Sequence, residues 1–341
     1  MKKNFLFSIL AVIVFAVVIQ SCGSGNDSTI NTWANDKIDT EIKKQVGQLN
    51  DKLFKAIMAS DVNTVRAMLS DQLLEKGAEK IDTLVNSAGK SFSAKTYDVM
   101  DEYYTKHHIK KDPDTLAIQN GTDNDYLVAY KAMNEEMYAS VLVSKNLPVN
   151  CLILVVYGKY GNEWKVNILQ IGEFTIDGKN SQEFYKLARK YYDQGDLLDA
   201  ANMMVLTSQL ATPAGDFFKY QNEDTLKNFY FKVTEDANKI YSFPYPVKDI
   251  KTIPQIFSIT PQFVADQGQQ GIYPMIKYRS AIKLTDVDAI KTENKALQDI
   301  IGKVFPGIIQ NNKFILYKAY NSTPDGKVPG DNYNFIQKTS K

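Results

Sequence analysis

The sequence predicts an α+β protein, and three observations carry that expectation. Apolar residues recur at helical spacing over residues 33–75, strand-like alternation replaces that spacing up to about Phe174, and helices and strands alternate again in the last third. With 44% hydrophobic and 23% charged residues in 341, the chain has the composition of a globular protein long enough for about two cores.

The amino terminus carries Lys2 and Lys3, then an apolar run from Phe5 to Ile19 broken only by Ser8. A membrane-spanning helix needs about 20 apolar residues, so this shorter run has the layout of a secretory signal. Its end, Ile19, Gln20, Ser21 and Cys22, resembles a bacterial lipobox: an aliphatic residue stands three before the cysteine and a small one just before it. Gln20 departs from the small or aliphatic residue usual there. The resemblance implies cleavage after residue 21, acylation of Cys22, and an extracytoplasmic protein anchored by lipid to the cell membrane or outer membrane, on its periplasmic or surface face. Residues 22–32 are small and polar and would serve as a flexible tether. Each acyl methylene buried in the bilayer contributes about 0.8 kcal/mol to the anchor.

Cleavage would take the formal net charge from +1 to −1 by removing Lys2 and Lys3. That balance gives no electrostatic reason to expect nucleic acid as a partner. Acylation of Cys22 would leave Cys151 as the one thiol, so no internal disulfide can form. Cys151 opens the apolar run Leu152–Val156, where a buried thiol behaves as a small hydrophobe.

Ile38, Ile42, Val46, Leu49, Leu53 and Ile57 predict one long amphipathic helix within a helical stretch that begins at Trp33. Ser60 or Asp61 caps a second helix with Val62, Val65, Met68, Leu69 and Leu73 inward and Gly77 as its stop. A third helical piece covers Ile81–Val85. Strands follow at Tyr97–Tyr104, Asp114–Gln119, Tyr126–Ala132 and Met137–Val143. A hairpin then joins Leu152–Tyr160 to Glu163–Ile171 through Gly161 and Asn162.

This order of elements, with the segment Leu53, Ala59, Asp61, Val65 and Leu69, resembles the NTF2-like, or SnoaL-like, α+β family over residues 33–176. The resemblance implies a curved antiparallel sheet wrapped against N-terminal helices, with a pocket between them.

Residues 177–215 predict a helical hairpin. Asn180 and Glu183 make a capping box, Gly195 and Asp196 form the turn, and Leu198, Ala201, Met204 and Val205 face back. Leu187, Ala188, Tyr191, Gly195, Ala200, Met204 and Pro213 resemble a single tetratricopeptide repeat. With no second copy the hairpin reads as a bridge between units, or else as a fragment of a peptide groove. Residues 216–322 read as a second, smaller α+β unit. It comprises a helix from Leu226 to Ile240, strands at Gln255–Ala265 and Ile272–Lys283 made edge-like or bent by Pro261 and Pro274, a helix from Asp286 or Asp288 to Val304, and a strand at Phe314–Tyr320. Residues 323–341, with Pro324, Gly326, Pro329 and Gly330, read as a mobile tail.

Motifs of zinc proteases, serine hydrolases and nucleotide hydrolases do not occur in the sequence. The two histidines, His107 and His108, are adjacent on a strand and point to opposite faces, and with Lys106, Lys110 and Lys111 they read as a solvated strand end. Asn120–Asp125 resembles a calcium loop in its clustered oxygens, but the order of acids and glycine is wrong, so a surface hairpin turn is expected. Some NTF2-like proteins hold an acid or base among apolar and tyrosine side chains, which makes Asp98, Asp101, Glu102 and Tyr130 the candidates here. Alternation leaves their facing open, because a slip of one residue reverses it. No catalytic residue, cofactor or metal is implied. The expectation is a membrane-tethered, non-enzymatic binding or scaffold lipoprotein whose partner is another envelope protein. The alternative is an NTF2-like pocket protein that binds or transforms a small hydrophobic molecule.

Overall fold

The structure, a computed structural model, describes residues 31–107, 113–117, 121–266, 268–324 and 330–339. Cys22, the signal, nearly all of the tether, His108 and Asn120 lie outside the described residues. What is described is α+β.

Asn31–Ala34 forms a strand, β1, where the sequence predicts the start of a helical stretch. It pairs antiparallel with Tyr103–Lys106, and Trp33 stacks on Tyr104 at 5.4 Å. Ladder pairing and ring burial override a weak helical preference. Helix α1 (Thr40–Met58) is capped by Asp39, which accepts from the N–H groups of Glu41 and Ile42 at 3.0 and 3.1 Å. Asp61 caps α2 (Val62–Met68), as expected, and Ser70 caps α3 (Asp71–Phe92). The sequence puts a stop at Gly77 and a separate piece at Ile81–Val85, but α3 runs through both. A helical glycine costs about 1 kcal/mol, and burying Ile81, Val85, Ala88 and Phe92 on one stripe outweighs that.

The strands that follow are β2 (Tyr97–Lys106), β3 (Pro113–Ala117), β4 (Tyr126–Lys131), β5 (Glu136–Ser144), β6 (Val149–Tyr160) and β7 (Glu163–Ile176). They divide between two sheets. The larger is antiparallel in the order β1-β2-β5-β6-β7, and its β6–β7 turn uses Gly161 at φ 61°. The smaller is β3-β4-β8, where β8 (Phe218–Tyr220) arrives from far downstream and pairs Tyr126 with Tyr220 and Val128 with Phe218.

The large sheet is therefore a middle layer. Tyr104, Tyr138, Leu142, Ile153, Val155 and Tyr157 pack against the helices, while Tyr103, Met137, Ala139, Val141, Leu154 and Val156 pack against the small sheet. Burial on both faces explains why β6 reads as an unbroken apolar run. Cys151 sits within it, fully buried, with its thiol pushed up by that burial.

Helices α4 (Ser181–Asp193) and α5 (Leu197–Gln209) form the expected hairpin, and the Asn180–Glu183 capping box is present. A third helix, α6 (Glu223–Ile240), which the sequence reading groups with the C-terminal unit, packs on α5. Ala188, Ala200, Met204, Phe229 and Val233 share one small core there.

The remaining elements are β9 (Tyr245–Pro246), β10 (Gln255–Val264), β11 (Gly271–Arg279), α7 (Val287–Val304), α8 (Ile308–Asn311), β12 (Phe314–Tyr320) and β13 (Asn332–Lys338). They build a sheet in the order β13-β12-β11-β10-β9, with β11 and β12 parallel across the α7 crossover. Helix α7 covers one face: Ile290, Leu297 and Ile301 meet Ile276, Tyr278, Ile315 and Tyr317. Because β9 pairs only with Gln255 and Ile256, Pro261 lies on a free edge that asks for no N–H. Strand β13 corrects the expected open tail. Asn332–Lys338 pairs along all of β12, and Tyr333 and Phe335 pack on the core beneath α7.

Candidate functional site

A bulge decides where the sequence candidates point. Along β2 the register passes from Val99 opposite Leu142 to Asp101 opposite Val141, leaving Met100 as the extra residue. Strict alternation would put Tyr97 and Asp101 on one face, but the bulge inverts the parity beyond it. Tyr97 packs on Phe54 of α1, ring centroids 4.8 Å apart, and Glu102 and Tyr104 face the same helices. Asp101 and Tyr103 face the small sheet.

The four candidates thus go to four places. Asp98 is exposed and pairs with Lys145 at 2.8 Å. Glu102 is buried, with Lys43 Nζ 3.0 Å from its Oε2 as an ionic neighbour. Beside it the Tyr138 hydroxyl is pushed up by burial and then by the Glu102 charge. Asp101 accepts from the Tyr126 hydroxyl at 2.6 Å through Oδ2 and from Asn35 Nδ2 at 3.1 Å through Oδ1. Tyr130 is buried, its hydroxyl 3.0 Å from Thr105 Oγ1, which also meets His107 Nε2 at 3.1 Å. His107 is only 5% exposed, which corrects the expected solvated strand end: its ring packs edge-on to Tyr130 instead.

Midway between the helices and the large sheet the space is filled by Tyr138, Tyr157 and Asn50, and a concavity of about 480 Å³ opens at one end, lined by Gln48, Leu49, Met68 and Trp164. The Tyr157 hydroxyl donates to Asn50 Oδ1 at 2.9 Å, and Asn50 Nδ2 donates to Ser140 Oγ at 3.0 Å. Across the sheet, the turn expected near residue 121 is closed by Asp125, whose carboxylate accepts from the N–H groups of Gly121 and Thr122 at 3.0 and 3.3 Å. No group of three or more acidic, histidine or cysteine residues is close enough to share a metal among the described residues.

Another open surface lies on the face of the C-terminal sheet turned away from α7. The registers lay side chains across it in rows. One row reads Ser258, Lys277, Lys318 and Asn334. The next reads Thr260, Met275, Leu316 and Ile336. Tyr273 and Phe314, edge-to-face at 5.2 Å, continue the apolar strip, and a concavity of about 420 Å³ opens over it. At its rim Ile336 is 56% exposed, an uncommon position for an isoleucine.

Lys277 and Lys318 stand side by side on parallel strands, and neither has an ion pair among the described residues. Adjacent like charges on one sheet face oppose each other by about 0.2–1 kcal/mol, so this pair is suited to an anionic group laid across it. The sequence reading missed this surface because it needs β13. The signal was present in the alternation of Asn332, Tyr333, Asn334 and Phe335, and the preceding cluster of prolines and glycines outweighed it.

Comparison of the chain with family models, with curated proteins and with solved structures found no match. No helix among the described residues is long and apolar enough to cross a membrane.

Proposed function

We propose that this protein is a membrane-tethered, non-enzymatic binding or scaffold lipoprotein, anchored through acylated Cys22 on the outer side of a membrane and docking another envelope component. The observation that carries this reading is the open sheet face, where the apolar row Met275, Leu316 and Ile336 runs beside Lys277 and Lys318, which have no ion pair among the described residues. An apolar strip with a charged margin is the make-up of a protein-binding surface. Its partner would present carboxylates next to apolar side chains.

In this reading residues 33–176 are an NTF2-like unit nearest the lipid. Helices packed on one face of an antiparallel sheet support it, as does the bulge that bends β2. The alternative, a pocket that binds or transforms a small hydrophobic molecule, finds less support. Tyr138, Tyr157 and Asn50 occupy the space a ligand would need, and Lys43 already engages Glu102.

The test has two arms. Intact-mass analysis of the native protein should find a diacylglyceryl group on Cys22. A photoreactive residue at position 336, introduced in living cells, should cross-link one envelope protein, and the paired changes Lys277→Glu and Lys318→Glu should abolish that product. A cross-link that persists in the charge-reversed chain, or none at all, would reject the docking surface. An unmodified cysteine would reject the anchor.

A further inference from the structure

A second concavity lies on the outer face of the large sheet, where the turn at 121–125 meets the start of α4. It holds about 280 Å³, and its walls are Met100, Asp101, Tyr126, Phe174, Phe218 and Tyr220. Thr122, Asn124 and Asn180 edge its mouth. Phe218 is the centre of the aromatic wall, stacked on Tyr126 at 4.5 Å and edge-on to Tyr220 at 5.3 Å.

Two features of this cleft are unexplained by folding alone. Asp101 has no ion pair among the described residues, and no lysine or arginine lines the cleft with it. Its oxygens accept one hydrogen bond each, which leaves a lone pair on both. Tyr220 is 96% buried, being 4% exposed, yet its hydroxyl has no hydrogen-bond partner among the described residues. A buried polar group left unsatisfied is rare and calls for a reason. Nearby charge is negative as well: Glu183 bears on Tyr220, and Lys186, the neighbouring cation, is taken by Asp123 at 3.1 Å.

A carboxylate set among aromatic faces is the chemistry that selects organic cations, because ring quadrupoles and the anion attract the same charge while the rings cover its methyl or methylene shell. We infer that this cleft binds a small alkylammonium compound carrying a hydroxyl. The cationic head would lie against Asp101 and the rings of Tyr126 and Phe174, with Phe218 buried behind them, and the hydroxyl would meet Tyr220. This site is separate from the open sheet face and does not depend on the docking role.

Choline and its uncharged isostere 3,3-dimethylbutan-1-ol test the inference. The full chain, held in an uncharged maltoside detergent, is titrated with each by calorimetry. Choline should bind saturably at one site, and the alcohol about tenfold or more weakly. Tyr220→Phe should weaken choline binding by about threefold, the loss of one hydrogen bond. Asp101→Asn should weaken it by about tenfold or more, but Asp101 also holds Tyr126, so a second variant guards against misfolding. Asn124→Lys puts a cation at the exposed mouth, gives up one exposed hydrogen bond from Asn180 at 3.2 Å, and should cost a similar factor with the fold intact by circular dichroism. Absence of saturable choline binding, equal binding of the alcohol, or undiminished binding by the Asn124→Lys chain would each overturn the assignment.

Discussion

Lys43 on α1 reaches across to Glu102 on β2, Nζ to Oε2 at 3.0 Å, and the lysine remains 41% exposed while the carboxylate is almost wholly buried. The asymmetry makes the lysine the removable half. Its loss leaves a buried charge unpaired, whereas removing both charges leaves only a neutral amide to satisfy. Lys43→Met should therefore lower the unfolding free energy by about 1–3 kcal/mol, less than for a fully buried pair because solvent screens the lysine. Adding Glu102→Gln should restore part of it. Urea unfolding of the two single variants and the double variant measures the coupling, and strict additivity would show that the pair contributes nothing.

Gly172 on β7 lets Pro213 approach. A Cβ there would lie 2.3 Å from the Pro213 carbonyl oxygen, which is backbone and cannot swing aside. This contact seats the loop that delivers β8 to the small sheet. Gly172→Ala should destabilise the protein by about 1–3 kcal/mol, as overpacking does. Amide exchange should speed up at Phe218 and Tyr220 in particular. A variant as stable as the parent would show that the loop shifts freely.

Glu293 on α7 is 4% exposed, and neither carboxylate oxygen has a hydrogen-bond partner among the described residues. Replacing a buried ionisable group by an apolar one of similar shape is often neutral or stabilising by about 1–4 kcal/mol. Glu293→Met should raise the unfolding midpoint in urea. A clear loss of stability would mean that the carboxylate does work in the C-terminal unit that its contacts do not reveal.

Many of the 20 tyrosines are buried hydroxyls. Burial pushes Tyr126 far above the ordinary phenol value, with Asp101 next in effect; burial does the same to Tyr157, to Tyr220 and to Tyr317. A group held higher in the folded state than in the unfolded one stabilises the fold fully below its unfolded value, and that contribution is lost as pH rises. Stability should hold up to about pH 10, the ordinary tyrosine value, and fall steeply beyond it. Ultraviolet titration of phenolate should show the buried tyrosines ionising together with the loss of near-ultraviolet circular dichroism. Ionisation near pH 10 with the fold intact would contradict this.

Local chemistry made much of the fold legible. Asp61, the Asn180–Glu183 box and the Gly161 turn sit where spacing and residue type put them, because each acts on its immediate neighbours. What escaped depends on distant partners. The strand at Asn31–Ala34 exists because β2 is there to pair with it, and β8 is three residues long with nothing but β4 to define it. The bulge at Met100 leaves no mark in the alternation around it, so the separation of Asp101 from Glu102 could be drawn only after the register was known. Of the four candidate residues, Asp101 lines a cleft.

The closing strand of the small sheet has a consequence for the order of events as the chain is made. Tyr126 must wait for Tyr220, so the outer wall of the first half stays unfinished while the hairpin in between emerges. A nascent chain built this way holds the edge of β4 without its last partner until residue 220 has been made.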